Sequence, residues 1–203
     1  MRESPRIFME KFWRYAIRCY MALHPAWIAE IFHGLDFKNN GESDLATGTL
    51  APIKFYELTQ RELNYANRAN SPLTMISIGY TFNKETLLWL EYSDISKTEI
   101  EFLISEILDL IISVAAKVSK TLRSNEVVAR LGVITFAILI RDDATAAKIL
   151  TARLLSILEA SRDEFANNLI GSAFELMQLE VNVLCNSYKA NTNLAQFLSS
   201  VNF

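Results

Sequence analysis

The segment from Arg123 to Ile140 constrains the fold of this chain more than any other part of the sequence. Its letters, RSNEVVARLGVITFAILI, contain two apolar runs, EVVARL and ITFAILI, on either side of Gly132-Val133. Runs of this length, rich in β-branched residues and separated by a glycine turn, predict two strands of a hairpin. The rest of the domain must therefore supply a sheet in which this hairpin can lie.

Length, charge and cysteine content limit the class of protein. A chain of 203 residues can bury one substantial core. The net charge of −3 provides no positive field for nucleic acid, so we expect no nucleic-acid partner. Cys19 and Cys185 show no metal or redox spacing, which together with the lack of a signal peptide predicts a cytoplasmic protein. No apolar run reaches the roughly 18 residues of a membrane span.

The N-terminal part of the chain differs in character from the rest. Residues 5–23 combine apolar residues at helical spacing with several arginines and a lysine, and Pro25 to Gly34 predicts a second short helix. The polar stretch FKNNGESDLA follows, and it is typical of a linker. We therefore predict an amphipathic helical extension over residues 1–36, a linker over 37–46 and a main domain over 44–203.

The main domain shows helices that alternate with strands. Ser96-Lys97-Thr98-Glu99 matches a capping box before the most regular apolar helix of the chain. Asp142 or Asp143 is expected to cap a helix after the hairpin, from Ala144 to Ala160. The other predicted elements are a helix opened by Thr49 and Pro52, a strand over 73–79, a segment over 87–92 that is ambiguous between strand and helix, a strand over 176–184 and a short helix from Asn191 or Thr192. This order predicts an α/β sandwich with a mixed central sheet covered by helices.

The hairpin also resembles a known signature. Arg123, Glu126, Arg130, Gly132 and Phe136 follow the frame of the GGDEF (diguanylate cyclase-like) family, R-x-x-D-x-x-x-R-x-G-G-D/E-E-F. The segment DLATG at residues 44–48 is similar to the opening D-x-L-T-G of the same family. The resemblance covers the chain from about residue 44 to its C-terminus, and it implies a GGDEF-type sandwich.

The resemblance also shows what is missing. Cyclases of this family hold two divalent cations with carboxylates at the end of the first strand and in the hairpin turn, because joining two GTP molecules requires metal chemistry. The corresponding positions here are Gly79, Ile134 and Thr135, and Val133 replaces the second glycine. The segment ISKTEIEFLISE lacks the family's guanine-reading residues. We therefore predict a degenerate domain with no catalytic residues, no metal, no cofactor and no enzymatic activity.

One binding site of the family has a counterpart. Many GGDEF domains bind their product, cyclic di-GMP, at an R-x-x-D motif assisted by an arginine of the next helix. The motif reads R-x-x-E here, so the resemblance implies Arg123, Glu126 and Arg153 as candidate nucleotide-binding residues. Guanidinium groups suit phosphate and guanine, and a carboxylate accepts from guanine nitrogens. In the alternative interpretation, Arg123 stabilises a helix C-terminus and the other two are ordinary surface charges.

These observations leave three hypotheses for function. The first is a binding or regulatory protein, a receptor for cyclic di-GMP in bacterial biofilm or motility control. The second is an interaction scaffold that needs no nucleotide, and the third is an enzyme with a relocated site. Aromatic side chains of the extension would bind a protein partner or a second copy of the chain, or pack on its own domain. They are Phe8, Phe12, Trp13, Tyr20 and Trp27.

Overall fold

The computed structural model describes residues 38–86, 89, 95–189 and 192–199. The predicted extension over residues 1–36 therefore lies outside the described residues. The ambiguous segment over 87–92 is described only at Trp89, which is helical. The order of the main elements agrees with the prediction: helix, strand, helix, hairpin, helix, strand, helix. They are α1 (Pro52–Ala69), β1 (Thr74–Phe82), α2 (Lys97–Thr121), β2 (Val127–Arg130), β3 (Thr135–Ile140), α3 (Ala144–Asn168), β4 (Leu179–Ser187) and α4 (Leu194–Ser199).

The four strands form one sheet in the order β2-β3-β1-β4. Every pair of neighbouring strands is antiparallel. The α/β architecture is confirmed, but the prediction of a mixed sheet is wrong for these strands. The reason lies in the hairpin: β3, its second strand, takes the place beside β1, so that β2, which runs parallel to β1, is not its neighbour. A parallel pairing occurs only as an isolated bridge between Leu50 and Ala129 among the described residues.

The sheet separates two groups of buried apolar side chains. On β1, alternate residues point to opposite faces, as the two-residue period of a strand requires. Ile76, Ile78 and Tyr80 belong to the larger core, which is packed against α2 and α3. Met75 lies in the smaller core with Phe55 of α1. Burial on both faces explains why β1, with the sequence TMISIGYTF, contains no charged residue.

Helix α2 begins where the capping box was predicted. The backbone N–H of Glu99 donates to Ser96 Oγ at 3.3 Å, and the N–H of Ser96 donates to Glu99 Oε2 at 2.7 Å. This exchange satisfies two backbone donors that the first turn leaves free. The apolar positions behind it are buried at helical spacing: Ile100, Leu103, Ile107, Leu110, Ile111, Val114, Ala115 and Val118.

Helix α3 begins after Asp143, one of the two predicted caps. The Asp143 carboxylate accepts from the N–H groups of Thr145 and Ala146 at 2.8 and 3.0 Å. The helix continues to Asn168, beyond the predicted end at Ala160. Between Ala144 and Gly171 the sequence contains no glycine or proline that would end the helix earlier. Gly171 lies at φ +78° in the turn that follows the helix.

The described part of the predicted linker is hydrogen-bonded to itself and to its surroundings. Leu45 N donates to Lys38 O at 2.7 Å, and Ala51 N donates to Glu42 O at 3.0 Å. The boundary with the extension lies outside the described residues, so the domain limits remain a prediction. None of the described helices combines the length and apolarity needed to cross a bilayer.

Candidate functional site

Arg130, at the end of β2, organises the turn of the hairpin. Its guanidinium donates from Nη2 to Val133 O at 2.9 Å, and from Nε to Val133 O and Gly132 O at 3.2 and 3.3 Å. Nη1 lies 3.5 Å from Asp44 Oδ2, and both side chains are almost fully buried, at 1% and 0% exposure. A buried charge needs such partners, because unpaired burial is costly.

The partner carboxylate belongs to the segment DLATG. Asp44 Oδ1 accepts from Thr47 N at 2.9 Å and from Thr47 Oγ1 at 2.7 Å. Gly48 lies at φ +69° in the same loop, a conformation that glycine adopts without strain. Arg130 and Asp44 therefore join two parts of the signature frame. The sequence pattern contained both residues but did not indicate that they pair.

The turn between β2 and β3 is filled by backbone and apolar contacts. The N–H groups of Leu131 and Gly132 both donate to Thr135 O, at 3.0 and 3.2 Å, and Tyr80 N donates to Ile134 O at 3.2 Å. Ile134 is buried in the larger core. Within the described residues, no position of this turn has positive φ, which suits the β-branched Val133.

Position 79, where the resemblance places a metal-binding carboxylate, has no space for a side chain. A Cβ there would lie 2.4 Å from Ile134 O and 2.8 Å from Thr135 Cγ2. An acidic residue could enter only if the turn moved. The described residues contain no group of three or more His, Cys, Asp or Glu that could hold a metal ion.

The candidate nucleotide-binding residues lie together at the opposite end of the hairpin. Arg123, Glu126 and Arg153 line one groove of about 170 Å³. Other lining residues come from the end of α2, the end of β3 and the first turns of α3: Thr121, Ile140, Asp142, Ala146, Ile149 and Leu150. Charged groups at the rim and apolar groups between them can contact both the phosphates and the bases of a nucleotide.

Hydrogen bonds within the groove engage Arg123 on two sides. Its backbone N–H donates to Glu126 Oε2 at 2.7 Å, and its carbonyl accepts from Glu126 N at 3.0 Å. Its Nη1 donates to Asp142 Oδ2 at 3.3 Å. Arg153 is exposed on α3. The sequence predicted only a helix-capping role for Asp142, and no local pattern indicated that it lies beside Arg123.

Arg123 also follows the last residue of α2 and its C-cap Leu122, whose N–H donates to Val118 O. This placement is the one expected if the arginine stabilises a helix C-terminus. The alternative interpretation of Arg123 therefore remains open beside the binding one. The candidate partner-binding residues Phe8, Phe12, Trp13, Tyr20 and Trp27 lie outside the described residues.

A second, open cavity of about 340 Å³ lies between the start of α2 and the segment that follows α3. Phe102 and Phe174 line it together with Thr98, Glu99 and residues 171–173. Ile170 and Leu176 flank this segment and are exposed by 67% and 73%. The cavity was not predicted from the sequence, because its walls come from distant segments.

Comparison with known proteins identifies the fold. No family model and no curated protein matches the chain. The GGDEF domain of DgcB from Caulobacter crescentus, solved in complex with c-di-GMP, is 14% identical, with 82% of this chain and 88% of that chain covered and a TM-score of 0.55. A sensory box/GGDEF family protein from Caulobacter crescentus is 15% identical over 79% of this chain and 92% of that chain, with a TM-score of 0.53.

A third match is the diguanylate cyclase SiaD from Pseudomonas aeruginosa, solved in complex with its activator SiaC. It is 15% identical, with 95% of this chain and 65% of that chain covered and a TM-score of 0.52. These similarities concern the overall fold and agree with the predicted order of helices and strands. The chain therefore has the fold of GGDEF domains.

Proposed function

We propose that this chain is a catalytically inactive GGDEF-like domain that acts by binding, with cyclic di-GMP as the ligand of the groove. The observation that carries the proposal is the meeting of Arg123, Glu126 and Arg153 in one groove. The DgcB domain of the same fold was solved with c-di-GMP, which makes this nucleotide the first ligand to test. Receptor activity of this kind would place the protein in a cytoplasmic signalling system that controls biofilm formation or motility.

The state of the hairpin turn supports inactivity. Metal-dependent phosphoryl transfer requires carboxylates that hold the cations near the triphosphate. Position 79 lacks space even for a Cβ, and Ile134 directs an apolar side chain into the core. We therefore expect no cyclic di-GMP when the purified protein is incubated with GTP and Mg²⁺.

The groove can hold part of a cyclic dinucleotide. The Arg153 guanidinium is available for a phosphate, and Ile149, which is 59% exposed, provides an apolar surface for a base. Glu126 uses Oε2 for the backbone of Arg123, so its second oxygen can accept from a guanine nitrogen. The volume of about 170 Å³ is below the roughly 300–1,000 Å³ of enclosing ligand sites, so much of the ligand would remain in water.

Calorimetric titration with cyclic di-GMP tests the proposal. Arg123→Ala and Arg153→Ala should each weaken binding by roughly tenfold or more, because each removes a charge-assisted hydrogen bond. Lys148→Ala is the matched control, since Lys148 is also exposed on α3 but does not line the groove. Equal affinity in all three variants would place the ligand elsewhere, and a wild-type protein that binds no cyclic di-GMP would refute the receptor function.

A protein-interaction scaffold is the second candidate. The observation in its favour is the exposure of Ile170 and Leu176 beside the cavity lined by Phe102, since neighbouring exposed apolar side chains mark contact surfaces. The SiaD cyclase was solved with a protein activator, so domains of this fold occur in protein complexes. An Ile170→Ser/Leu176→Ser variant that retains fold but loses a copurifying partner would support this candidate.

A further inference from the structure

The Asp142 carboxylate lies in the groove and contacts Arg123, one of the candidate ligand-binding residues. It accepts from Arg123 Nη1 at 3.3 Å, in an ion pair with 72% exposure of the arginine and 38% exposure of the aspartate. The same carboxylate lines the groove beside Arg153 and Glu126. Arg123, one of the two arginines that the proposed function assigns to ligand binding, therefore already has an anionic partner from its own chain.

The charges that line the groove balance. Arg123 and Arg153 contribute two positive charges, and Glu126 and Asp142 contribute two negative charges. A phosphate that approaches this groove meets no net attraction, and it is repelled by the Asp142 carboxylate at short range. Affinity for an anion is then limited by the internal pair and by that repulsion.

The two members of the pair differ in how firmly they are held. The backbone carbonyl of Asp142 accepts from Thr74 Oγ1 at 2.9 Å, and Thr74 is buried at the start of β1. Asp143 is held next to it by its two bonds to the first turn of α3. Arg123 is a long, exposed side chain with several rotatable bonds. An incoming anion would therefore draw Arg123 away from a stationary Asp142.

We propose that Asp142 is an internal competitor of the ligand phosphate and sets the affinity of the groove for anions. The inference rests on the proposed function for the identity of the ligand, but the competition itself concerns any phosphate group. Removing the negative charge without changing the shape should free Arg123 and also remove the repulsion. The expected gain in affinity is roughly three- to tenfold, as for an exposed pair plus one like-charge contact.

The experiment compares Asp142→Asn with Asp143→Asn in the full-length chain. Both variants remove one carboxylate from adjacent positions, and asparagine caps a helix about as well as aspartate. Each protein is titrated with cyclic di-GMP and with inorganic pyrophosphate. The side-chain N–H signals of Arg123 are followed by NMR during each titration, because competition requires that a bound ligand shifts them and that this shift occurs at lower ligand concentration in Asp142→Asn. Asp142→Ser serves as a second variant if Asp142→Asn does not fold, since the carbonyl bond to Thr74 is independent of the side chain.

The expected result is tighter binding of both ligands by Asp142→Asn, with altered Arg123 signals, and no change in Asp143→Asn. Wild-type binding of cyclic di-GMP with equal or weaker binding by Asp142→Asn would overturn the competition and leave the receptor function standing. Tighter pyrophosphate binding by Asp142→Asn without any cyclic di-GMP binding would support the competition and refute the receptor function. If no variant binds either ligand, both proposals are wrong.

Discussion

The two ends of the hairpin differ in whether their arginine is buried or exposed. At the turn, Arg130 is buried at 1% exposure and bonded to Asp44 and to two backbone carbonyls. At the other end, Arg123 belongs to the same sequence frame but is 72% exposed and pairs with Asp142 at the surface. Arg130 is held inside the structure, whereas Arg123 forms an ion pair at the surface, where we propose that a ligand binds.

Under the inactive function that we propose, this difference indicates which parts of the signature still serve the fold. Arg130, Asp44 and Gly132 shape the turn, so the fold depends on them whether or not a reaction takes place. Positions that would serve only chemistry, 79 and 134, are filled by close backbone contact and an apolar side chain. The turn packs against the core through Ile134, whereas Arg123 at the other end of the hairpin is exposed to water.

The largest effect is expected at the turn. Arg130→Met keeps an extended side chain but leaves Asp44 buried without its cation, so the free energy of unfolding should fall by about 3–5 kcal/mol. Chemical denaturation measures the loss. A double variant, Asp44→Asn/Arg130→Met, should lose less than the sum of the two single variants. A loss below about 1 kcal/mol for Arg130→Met would show that the turn does not depend on this pair.

The next effect concerns the space at position 79. Gly79→Ala should lower stability by about 1–3 kcal/mol, because its Cβ would press on Ile134 O. Gly79→Asp should cost more, since it adds a poorly solvated carboxylate. Neither variant should convert GTP to cyclic di-GMP. Unchanged melting temperatures for both variants would contradict the tight contact. Formation of cyclic di-GMP by Gly79→Asp would contradict the proposed inactivity, since the variant would need only one carboxylate to become a cyclase.

A third effect is predicted at high pH. Burial raises the pKa of Tyr80 well above its usual range, and the nearby Arg162 offsets part of the rise. Burial also raises the pKa of Tyr56 to about 12. A raised folded-state pKa favours folding below the unfolded value of about 10, and this contribution is lost as pH rises towards the folded value.

Stability should therefore fall between about pH 10 and 12, and pH-dependent denaturation curves would measure the slope. Tyr80→Phe and Tyr56→Phe should each reduce the loss of unfolding free energy over this pH range by up to about 2 kcal/mol. Tyr80→Phe also removes the hydroxyl that donates to Leu158 O at 2.9 Å, so its stability at neutral pH should be lower. An unchanged slope in both variants would rule out buried phenols as the cause.

The smallest effect on stability is expected at the groove. Arg123→Ala removes an exposed ion pair, and such pairs contribute about 0–1 kcal/mol. Denaturation should therefore show almost no change, in contrast to Arg130→Met. A loss as large as that of Arg130→Met would mean that both ends of the hairpin are structural, and the comparison on which the proposed function depends would fail.

Local sequence signals predicted a large part of the fold. The capping box at Ser96, the hairpin and the cap at Asp143 were read correctly, because each depends on residues within a few positions of one another. The last strand was placed too early, over 176–184 instead of Leu179–Ser187. The N–H of Met177 closes a turn onto Phe174 O at 2.9 Å, so the apolar run begins before the strand does.

For the site, the sequence by itself determined which charged residues were present and which carboxylates were missing. Only the tertiary structure decided what those residues contact. Arg130 meets Asp44 across 86 positions of chain, and Arg123 meets Asp142 across 19. The lack of space at Gly79 likewise comes from Ile134, which lies in the hairpin turn and not next to Gly79 in the sequence. Side-chain spacing predicts neighbours within one helix or strand, but contacts between elements depend on how the sheet and its helices pack.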